Sequence, residues 1–269
     1  MHVVFLLTAC VSIAAVALIC AYLLGNGIPT IGEIGLGNFF GKVWKPSKDL
    51  YGIFPMIVGS IYVTAGAILI GVPIGLLTAV YLARFCPKGL YRVVKPAVDL
   101  MAGIPSIVYG LFGYLFFNIF LGWSYTILGG ALTLAIMILP LIMRTTEEAL
   151  IAVPDLYREG SFGLGAGKLR TVFRIVLPSA VPGILAGVIL AVGRIVGETA
   201  ALLYPAGTAT TVADGLMSSG RTLAVHMYAL LNEGLYMDQA YATAVVLLVV
   251  VIGINALSGL IAKKVGVKD

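Results

Sequence analysis

The stretch EGSFGLGAGKLRTVFRIVLP, residues 159–178, is polar and rich in glycine, although it lies in a very apolar chain. Hydrophobic residues make up 60% of the 269 positions, charged residues make up 11%, and the mean hydropathy is +1.06. This composition excludes a water-soluble globular protein and indicates a polytopic membrane protein. The net charge of +5 does not indicate nucleic-acid binding, because the basic residues are dispersed through short loops.

Six apolar stretches approach the roughly 20 residues that a helix needs to cross a bilayer. The sequence therefore predicts an all-α integral membrane protein, with one domain over residues 1–269 and six transmembrane helices. Pro105-Ser106 interrupts the third stretch, as a kink or as exposed backbone at a cavity. Small residues four apart allow close helix contact at Gly71/Gly75, Gly183/Gly187 and Gly193/Gly197. The predicted spans are 3–24, 54–83, 96–121, 127–143, 179–205 and 239–262.

The loops on the two sides of the membrane differ in their content of lysine and arginine. Four basic residues lie on one side: Lys42, Lys45, Lys48 and Arg221. Twelve lie on the other: Arg84, Lys88, Arg92, Lys95, Arg144, Arg158, Lys168, Arg170, Arg174, Lys263, Lys264 and Lys268. Because basic loops stay in the cytoplasm, the second side is predicted to be cytoplasmic. Both termini would then be cytoplasmic, in a multi-pass protein of the cell (inner) membrane.

The cytoplasmic loop 144–182 is too long for a simple connection between helices, so it is expected to have structure of its own. Two short helices fit, around 147–159 and 168–176, with a turn at glycines 163, 165 and 167. Leu169, Val172, Phe173 and Val176 recur at helical spacing and form an apolar stripe. Such a helix docks into a groove on a soluble partner or lies on the lipid surface.

The same loop resembles the cytoplasmic signature of ABC importer permeases, which is EAA, three residues, Gly, nine residues and Ile-x-Leu-Pro. Glu159, Gly165, Ile175 and Leu177-Pro178 match that spacing, and Gly160 and Ser161 replace the two alanines. The resemblance implies a type I ABC importer permease fold whose coupling helix docks on a separate ATPase. The residues that it assigns to coupling are Glu159, Gly160, Ser161, Gly165, Ala166, Leu177 and Pro178.

Three further stretches resemble the phosphate-specific permeases of the PstA/PstC family. They are AGIPSIVYGLFG (102–113), LTLAIMILPLIMRTTEEAL (132–150) and GVILAVGRIVGETAALL (187–203). The resemblance, closer to PstA than to PstC, implies one half of a phosphate pore. Its implied partners are a PstC-like permease, a PstB-like ATPase dimer and a PstS-like binding protein, periplasmic or lipid-anchored.

The chain contains no G-x-x-x-x-G-K-[ST] sequence, so ATP and Mg are expected to be used by the partner ATPase. No nucleophile–base constellation and no metal-ligand spacing is evident either. The chain is therefore predicted to be a transport subunit that is not itself an enzyme and that holds no cofactor or metal.

Arg194 and Glu198 are four residues apart near the middle of the fifth span, so they are expected to share a helix face. A charge at that depth pairs with another group or lines a wet cavity, and a guanidinium suits a tetrahedral oxyanion. The pair is predicted to act directly in phosphate passage; the alternative is an ion pair that only orders helices. Arg144 is predicted to anchor the interface or to guide exit. Arg221 and His226 are expected in a solvated outer loop, with a gate or a binding-protein contact as the alternative.

Other functions remain open on the sequence. The same machine could carry another oxyanion, such as molybdate or sulfate, or fill the PstC role. A secondary transporter or channel would show an inverted repeat, but Arg194 and Glu198 have no counterpart in the first half. An intramembrane enzyme would need a catalytic dyad that the sequence does not offer.

Overall fold

The structure, a computed structural model, describes residues 1–266, so Lys268 lies outside the described residues. Five long helices carry most of the apolar sequence: α1 (His2–Ile34), α3 (Phe54–Arg84), α6 (Ile127–Ile151), α9 (Leu177–Val196) and α11 (Met237–Gly266). The shorter helices are α2 (Leu36–Phe39), α4 (Lys88–Ala102), α5 (Ser106–Gly113), α7 (Asp155–Gly163), α8 (Lys168–Thr171) and α10 (Leu223–Glu233). Strands β1 (Trp44–Lys45) and β2 (Leu50–Tyr51) pair antiparallel around a 3₁₀ turn (Pro46–Lys48).

Five helices in the described part of the chain are long and apolar enough to cross a membrane, or six if one bent pair counts as a span. The bent pair is α4 with α5 and the π-helical stretch Tyr114–Phe120, and its two halves meet at 100°. The interruption predicted at Pro105-Ser106 is thus confirmed, and it is a sharp bend; the bent pair begins at Lys88, before the predicted bound at residue 96. Pro105 lacks an amide hydrogen and disfavours helix at the residue before it, and Gly103 adds a second weak position.

The fourth and fifth spans differ from their predicted bounds. The apolar run 127–143 ends at Arg144, but α6 continues to Ile151 because Thr146 and Leu150 remain buried beyond it. The fifth span was expected at 179–205. It instead begins at Lys168, as α8, a π-helical stretch (Val172–Val176) and α9 form one helix that ends at Val196.

The bundle core is built on α6, which packs against α3 and α9 through glycines. A Cβ atom on Gly75 would lie 2.8 Å from the Ile142 side chain, and one on Gly183 would lie 2.7 Å from Ala149. These approaches confirm close contact at Gly71/Gly75 and Gly183/Gly187. The third pair differs, since a Cβ on Gly193 would meet nothing closer than Asn255 Oδ1 at 3.8 Å.

The two ends of the bundle are built differently. At the hairpin end, defined here by residues 36–53 with α10, the Leu223 amide donates to Ser60 Oγ at 2.9 Å, which ties α10 to α3. At the coupling end, defined by residues 144–182, Arg84 at the end of α3 donates to the Leu150 carbonyl of α6. The polar stretch 159–178 thus lies at the end opposite the hairpin.

Candidate functional site

Arg194 lies in the last turn of α9, and its side chain is exposed on a cavity of about 610 Å³. The cavity lies between α6, α9 and α11, and most of its wall is aliphatic. Its lining residues are Leu141, Ala186, Ile189, Leu190, Gly193, Arg194, Val251 and Asn255. A cation on an otherwise apolar wall attracts an anion or a partner charge, because it cannot be solvated by its neighbours.

Glu198 does not share a helix turn with Arg194, so the predicted arrangement of the pair is wrong. Helix α9 ends at Val196, and Glu198 Oε1 instead accepts a hydrogen bond from the Ala201 amide at 3.2 Å. Among the described residues, no carboxylate oxygen lies within 4.0 Å of the Arg194 guanidinium. No carboxylate that the structure describes therefore occupies the Arg194 donors.

Asn255 is a polar residue of this cavity that the sequence reading missed. It lies on α11 and lines the cavity with Arg194, and its Oδ1 faces the open space beside Gly193. Its side-chain amide can donate to an oxyanion or accept from a guanidinium. The available signal was a single amide inside the apolar run VVVIGINALSG.

Arg144 lies on the exposed surface of α6, where its Nε is 3.1 Å from Glu148 Oε1 one turn further on. Both side chains are largely exposed, and such pairs contribute little to stability. Leu141, one turn before Arg144, lines the Arg194 cavity. A role for Arg144 in exit stays a prediction.

His226 and Arg221 do not form the solvated outer loop that was expected. His226 lies on α10 and is fully buried, and its ring meets that of Trp44 edge to face at 4.3 Å. Its Nδ1 lies 3.1 Å from Arg221 Nη1. Burial, with the Arg221 charge beside it, lowers the pKa of His226 to about 3, so a neutral ring accepts the guanidinium hydrogen. A gating role for the two residues stays a prediction.

The first half of the coupling motif lies on α7, which is bounded differently from the helix expected at 147–159. The chain leaves helix at Ala152–Pro154 and enters α7 at Asp155. Glu159 and Gly160 are exposed on α7. Ser161 is buried, and its hydroxyl lies 2.8 Å from that of Thr171, which joins α7 to α8.

Gly165 turns the chain between the two helices. It has a φ of +78°, a left-handed conformation that costs other residues roughly 1–2 kcal/mol. The turn is held by the Ala166 amide, which donates to the Ser161 carbonyl at 3.1 Å. Serine at the position of the second alanine therefore contributes a hydroxyl bridge and the motif glycine contributes the turn.

The turn encloses a groove of about 280 Å³ at the coupling end. It is lined by Ser161, Leu164, Gly165, Ala166, Arg170, Arg174 and Ile175, which include three of the residues assigned to coupling. Leu177 and Pro178 follow Ile175 along the chain at the start of α9, where Leu177 packs against a buried cluster and Pro178 is exposed. The structure thus brings the two halves of the motif together.

The apolar stripe predicted for residues 168–176 is divided between a buried side and an exposed side. Val172 and Val176 are buried against Val80 and Leu150, whereas Leu169 and Phe173 are exposed. Leu156, at the start of α7, and Leu164, next to the turn, are also exposed, Leu164 at 91%. We call Leu156, Leu164, Leu169 and Phe173 the coupling patch. Several exposed apolar side chains at one end of a bundle, with Arg170 and Arg174 exposed in the same segment, are typical of a protein-docking surface.

Residues 71–267 match the family described as the binding-protein-dependent transport system inner membrane component. The chain belongs to this family. It is 36% identical over 201 residues to the probable ABC transporter permease protein YqgI of Bacillus subtilis, covering 70% of this chain and 68% of that protein. It is 36% identical over 216 residues to the phosphate transport system permease protein PstA of Mycobacterium leprae, covering 78% and 70%. It is also 31% identical over 256 residues to PstC of Mesorhizobium japonicum, covering 85% and 78%.

Solved structures of importers share the fold. A bacterial alginate ABC transporter, in complex with an alginate-bound periplasmic protein, matches with a TM-score of 0.72 at 16% identity, covering 97% of this chain and 95% of that one. The MetNI methionine ABC transporter in an inward-facing conformation matches with a TM-score of 0.62 at 24% identity, covering 80% and 94%. The predicted importer-permease fold is confirmed. Family membership also confirms a membrane transport component that works with a binding protein, rather than an enzyme.

Proposed function

We propose that this permease is the PstA-type transmembrane subunit of an ATP-driven phosphate importer and forms half of the translocation pathway. Two of the relatives above are named as phosphate transport permeases. The observation that carries the proposal is the Arg194 guanidinium, which faces the cavity between α6, α9 and α11 and has no carboxylate partner among the described residues.

The chemistry of this cavity suits a tetrahedral oxyanion. A guanidinium offers five fixed N–H donors and keeps its charge, and the Asn255 amide adds further donors on the facing helix. The aliphatic wall lowers the local dielectric, which strengthens the attraction between the cation and phosphate. Glu198 holds the turn after α9 through the Ala201 amide, and it competes for Arg194 when that bond opens.

The coupling patch is the surface through which the ATPase acts. The partner complex has a PstC-like permease, a PstB-like ATPase dimer that uses ATP and Mg, and a PstS-like binding protein, periplasmic or lipid-anchored. ATP binding draws the ATPases together and moves the patch, which opens the pore outward, and hydrolysis resets it. The coupling end and both termini are then cytoplasmic.

Uptake of radiolabelled phosphate by cells that express the whole complex tests this function. We expect ATP-dependent uptake that excess molybdate and sulfate do not inhibit. Arg194→Gln is expected to reduce uptake by roughly tenfold to a hundredfold, because a hydrogen bond to a charged group is worth about 1.5–3 kcal/mol. Arg194→Lys should recover part of the uptake, since it keeps the charge but loses the planar donors. Lys48→Gln, on the exposed 3₁₀ turn at the hairpin end, is the charge-removal control.

The outcomes separate the parts of the proposal. Full inhibition by molybdate or sulfate would keep the permease and replace the substrate. Wild-type uptake by Arg194→Gln, in a complex that copurifies with its ATPase, would remove Arg194 from the pathway. Uptake that persists without ATP would contradict the importer mechanism and favour a secondary transporter or channel.

A further inference from the structure

Helix α4 has a buried face, an apolar exposed face and a charged face. Its buried face carries Tyr91, Val94 and Val98, which pack against Ala79, Leu82 and Met143 of α3 and α6. The contact fixes α4 across the coupling ends of two long helices. Because the chain bends by 100° between α4 and α5, α4 runs in a different direction from the segment Ser106–Phe120.

The apolar exposed face of α4 carries Leu90, Val93 and Leu100. Val93 is 70% exposed and Leu100 is 75% exposed, and no part of the chain that the structure describes covers them. They recur at spacings of three and seven residues, so they lie on one stripe of the helix. A short helix with such a stripe, beside the ends of membrane spans, lies in the bilayer interface with that stripe in the acyl region.

The charged face of α4 carries Lys88, Arg92 and Lys95, at spacings of four and three residues. All three line a second cavity of about 610 Å³, which Leu82 and Ile151 close on the side of the spans. The lining therefore combines these three cations and the Glu147 carboxylate with aliphatic side chains. This is the pattern expected where a phosphate group lies at the boundary of the hydrocarbon region.

The three cations are not equivalent. Lys95 Nζ lies 2.5 Å from Glu147 Oε2, and the Tyr91 hydroxyl donates to the other oxygen of that buried carboxylate at 2.6 Å. Lys95 thus pairs with Glu147 at the base of the cavity, and its Nζ also lies 3.8 Å from Asp99 Oδ1, so Lys95 does not supply a free positive charge. Lys88 and Arg92 have no carboxylate within 4.0 Å among the described residues. Within the part of the chain that the structure describes, the mouth of the cavity thus has two cations without a carboxylate partner.

We propose that this cavity binds the phosphate group of an anionic phospholipid in the leaflet at the coupling end. Lys88 and Arg92 supply the charge and donors for the phosphodiester, and the aliphatic side next to Leu82 and Ile151 receives the first part of the acyl chains. Inorganic phosphate could bind the same cations, but it has no apolar part to contact the aliphatic wall, so the lipid is the better occupant. Bound there, the lipid holds α4 against α3 and α6. This contact lies next to the coupling end, where Lys168 Nζ lies 5.1 Å from the Phe85 ring centroid.

Lipid binding to the whole complex in neutral detergent tests this site. The probes are phosphatidylglycerol with a fluorescent tail and phosphatidylcholine with the same chains. We expect saturable binding that favours phosphatidylglycerol. The double variant Lys88→Gln/Arg92→Gln should weaken it on the order of tenfold or more, since each cation near an anionic surface is worth roughly fivefold. Lys45→Gln/Lys48→Gln, which removes two exposed cations at the hairpin end, should leave it unchanged.

Equal binding of the two lipids, or equal phosphatidylglycerol affinity in the Lys88→Gln/Arg92→Gln and wild-type complexes, would overturn the proposal. A third arm measures radiolabelled inorganic phosphate in an Arg194→Gln background, which removes the pathway cation. Saturable phosphate binding that disappears when Lys88 and Arg92 are also replaced would overturn the lipid as the occupant. The two lipid measurements depend neither on transport nor on the proposed substrate, so failure of this proposal is distinguishable from failure of the proposed function.

Discussion

The imidazole of His226 is enclosed by Trp44 and Arg221 at the hairpin end, and it stays neutral in the folded protein because its pKa falls to about 3. An unfolded histidine has a pKa of about 6.5. Between these two pKa values, His226 binds a proton in the unfolded chain but not in the folded chain. Acidification from about pH 6.5 towards pH 3 therefore lowers the free energy of unfolding.

His226→Gln is expected to flatten this pH dependence. Glutamine can still accept the Arg221 hydrogen bond and takes up no proton. The measurement is the Tm of the purified protein between about pH 7.5 and pH 4.5, where the wild-type Tm should fall more steeply than that of the variant. His2→Gln, at an exposed position on α1, is the matched control and should follow the wild type. Parallel slopes for wild type and His226→Gln would show that other groups set the acid sensitivity.

The residues of the Arg194 cavity differ in how far the sequence could predict them. Arg194 was predictable because a full charge in an apolar span is too costly without a purpose. Asn255 was not, because an uncharged amide is tolerated in a membrane helix and carries no comparable signal. The prediction that Arg194 and Glu198 share a helix face was wrong because it assumed an unbroken helix. Helix α9 ends just before Gly197, and one glycine among the many in this chain does not mark a helix end.

The coupling turn is the element whose conformation depends most on one residue. Gly165 and Gly167 both lie in open space, since an added Cβ would meet nothing within 4 Å at either position. They differ in backbone conformation, with φ +78° at Gly165 and φ −71° at Gly167. Alanine at either position therefore adds the same side-chain bulk, but only at Gly165 does it also strain the backbone.

Gly165→Ala is expected to strain the turn by about 1–2 kcal/mol and to displace Leu164 and the groove beside it. ATPase copurification and ATP-dependent uptake should both fall several-fold, whereas Gly167→Ala should leave them near wild type. The two measurements are the ATPase-to-permease ratio in the purified complex and the initial uptake rate. If Gly165→Ala and Gly167→Ala behave alike, the left-handed turn has no role in docking.

At the scale of elements, hydropathy predicted where the spans lie but not where their helices end. The helix from Lys168 to Val196 is continuous because the apolar side of its polar first part, Val172 and Val176, is buried against α3 and α6. That burial depends on tertiary contacts that periodicity alone does not reveal. Likewise the residues around Pro105 belong to one apolar run, and the sequence predicted an interruption there but not that the two halves meet at 100°.

The continuous helix also joins the two candidate sites. Residues 168–196 carry the exposed Leu169 and Phe173 of the coupling patch at one end and Arg194 at the other. At 1.5 Å per residue, the helix is roughly 40 Å long. Close packing of Gly183 and Gly187 on α6 makes the pair of helices move together. In the proposed mechanism, a displacement of the patch by the ATPase would therefore reach the Arg194 cavity without an intermediate loop.

The orientation of the whole molecule follows from its charge asymmetry, and cysteine accessibility tests it. In a background without Cys10, Cys20 and Cys86, we introduce Lys48→Cys at the hairpin end or Asp155→Cys at the coupling end; both positions are exposed. A membrane-impermeant maleimide should label Lys48→Cys in intact spheroplasts and Asp155→Cys only after permeabilisation, because the more basic loops stay in the cytoplasm. Labelling after denaturation in detergent controls for reactivity at both sites. Labelling of Asp155→Cys in intact spheroplasts would place the coupling patch outside, where no ATP-driven partner could reach it, and would contradict the coupling mechanism together with the orientation.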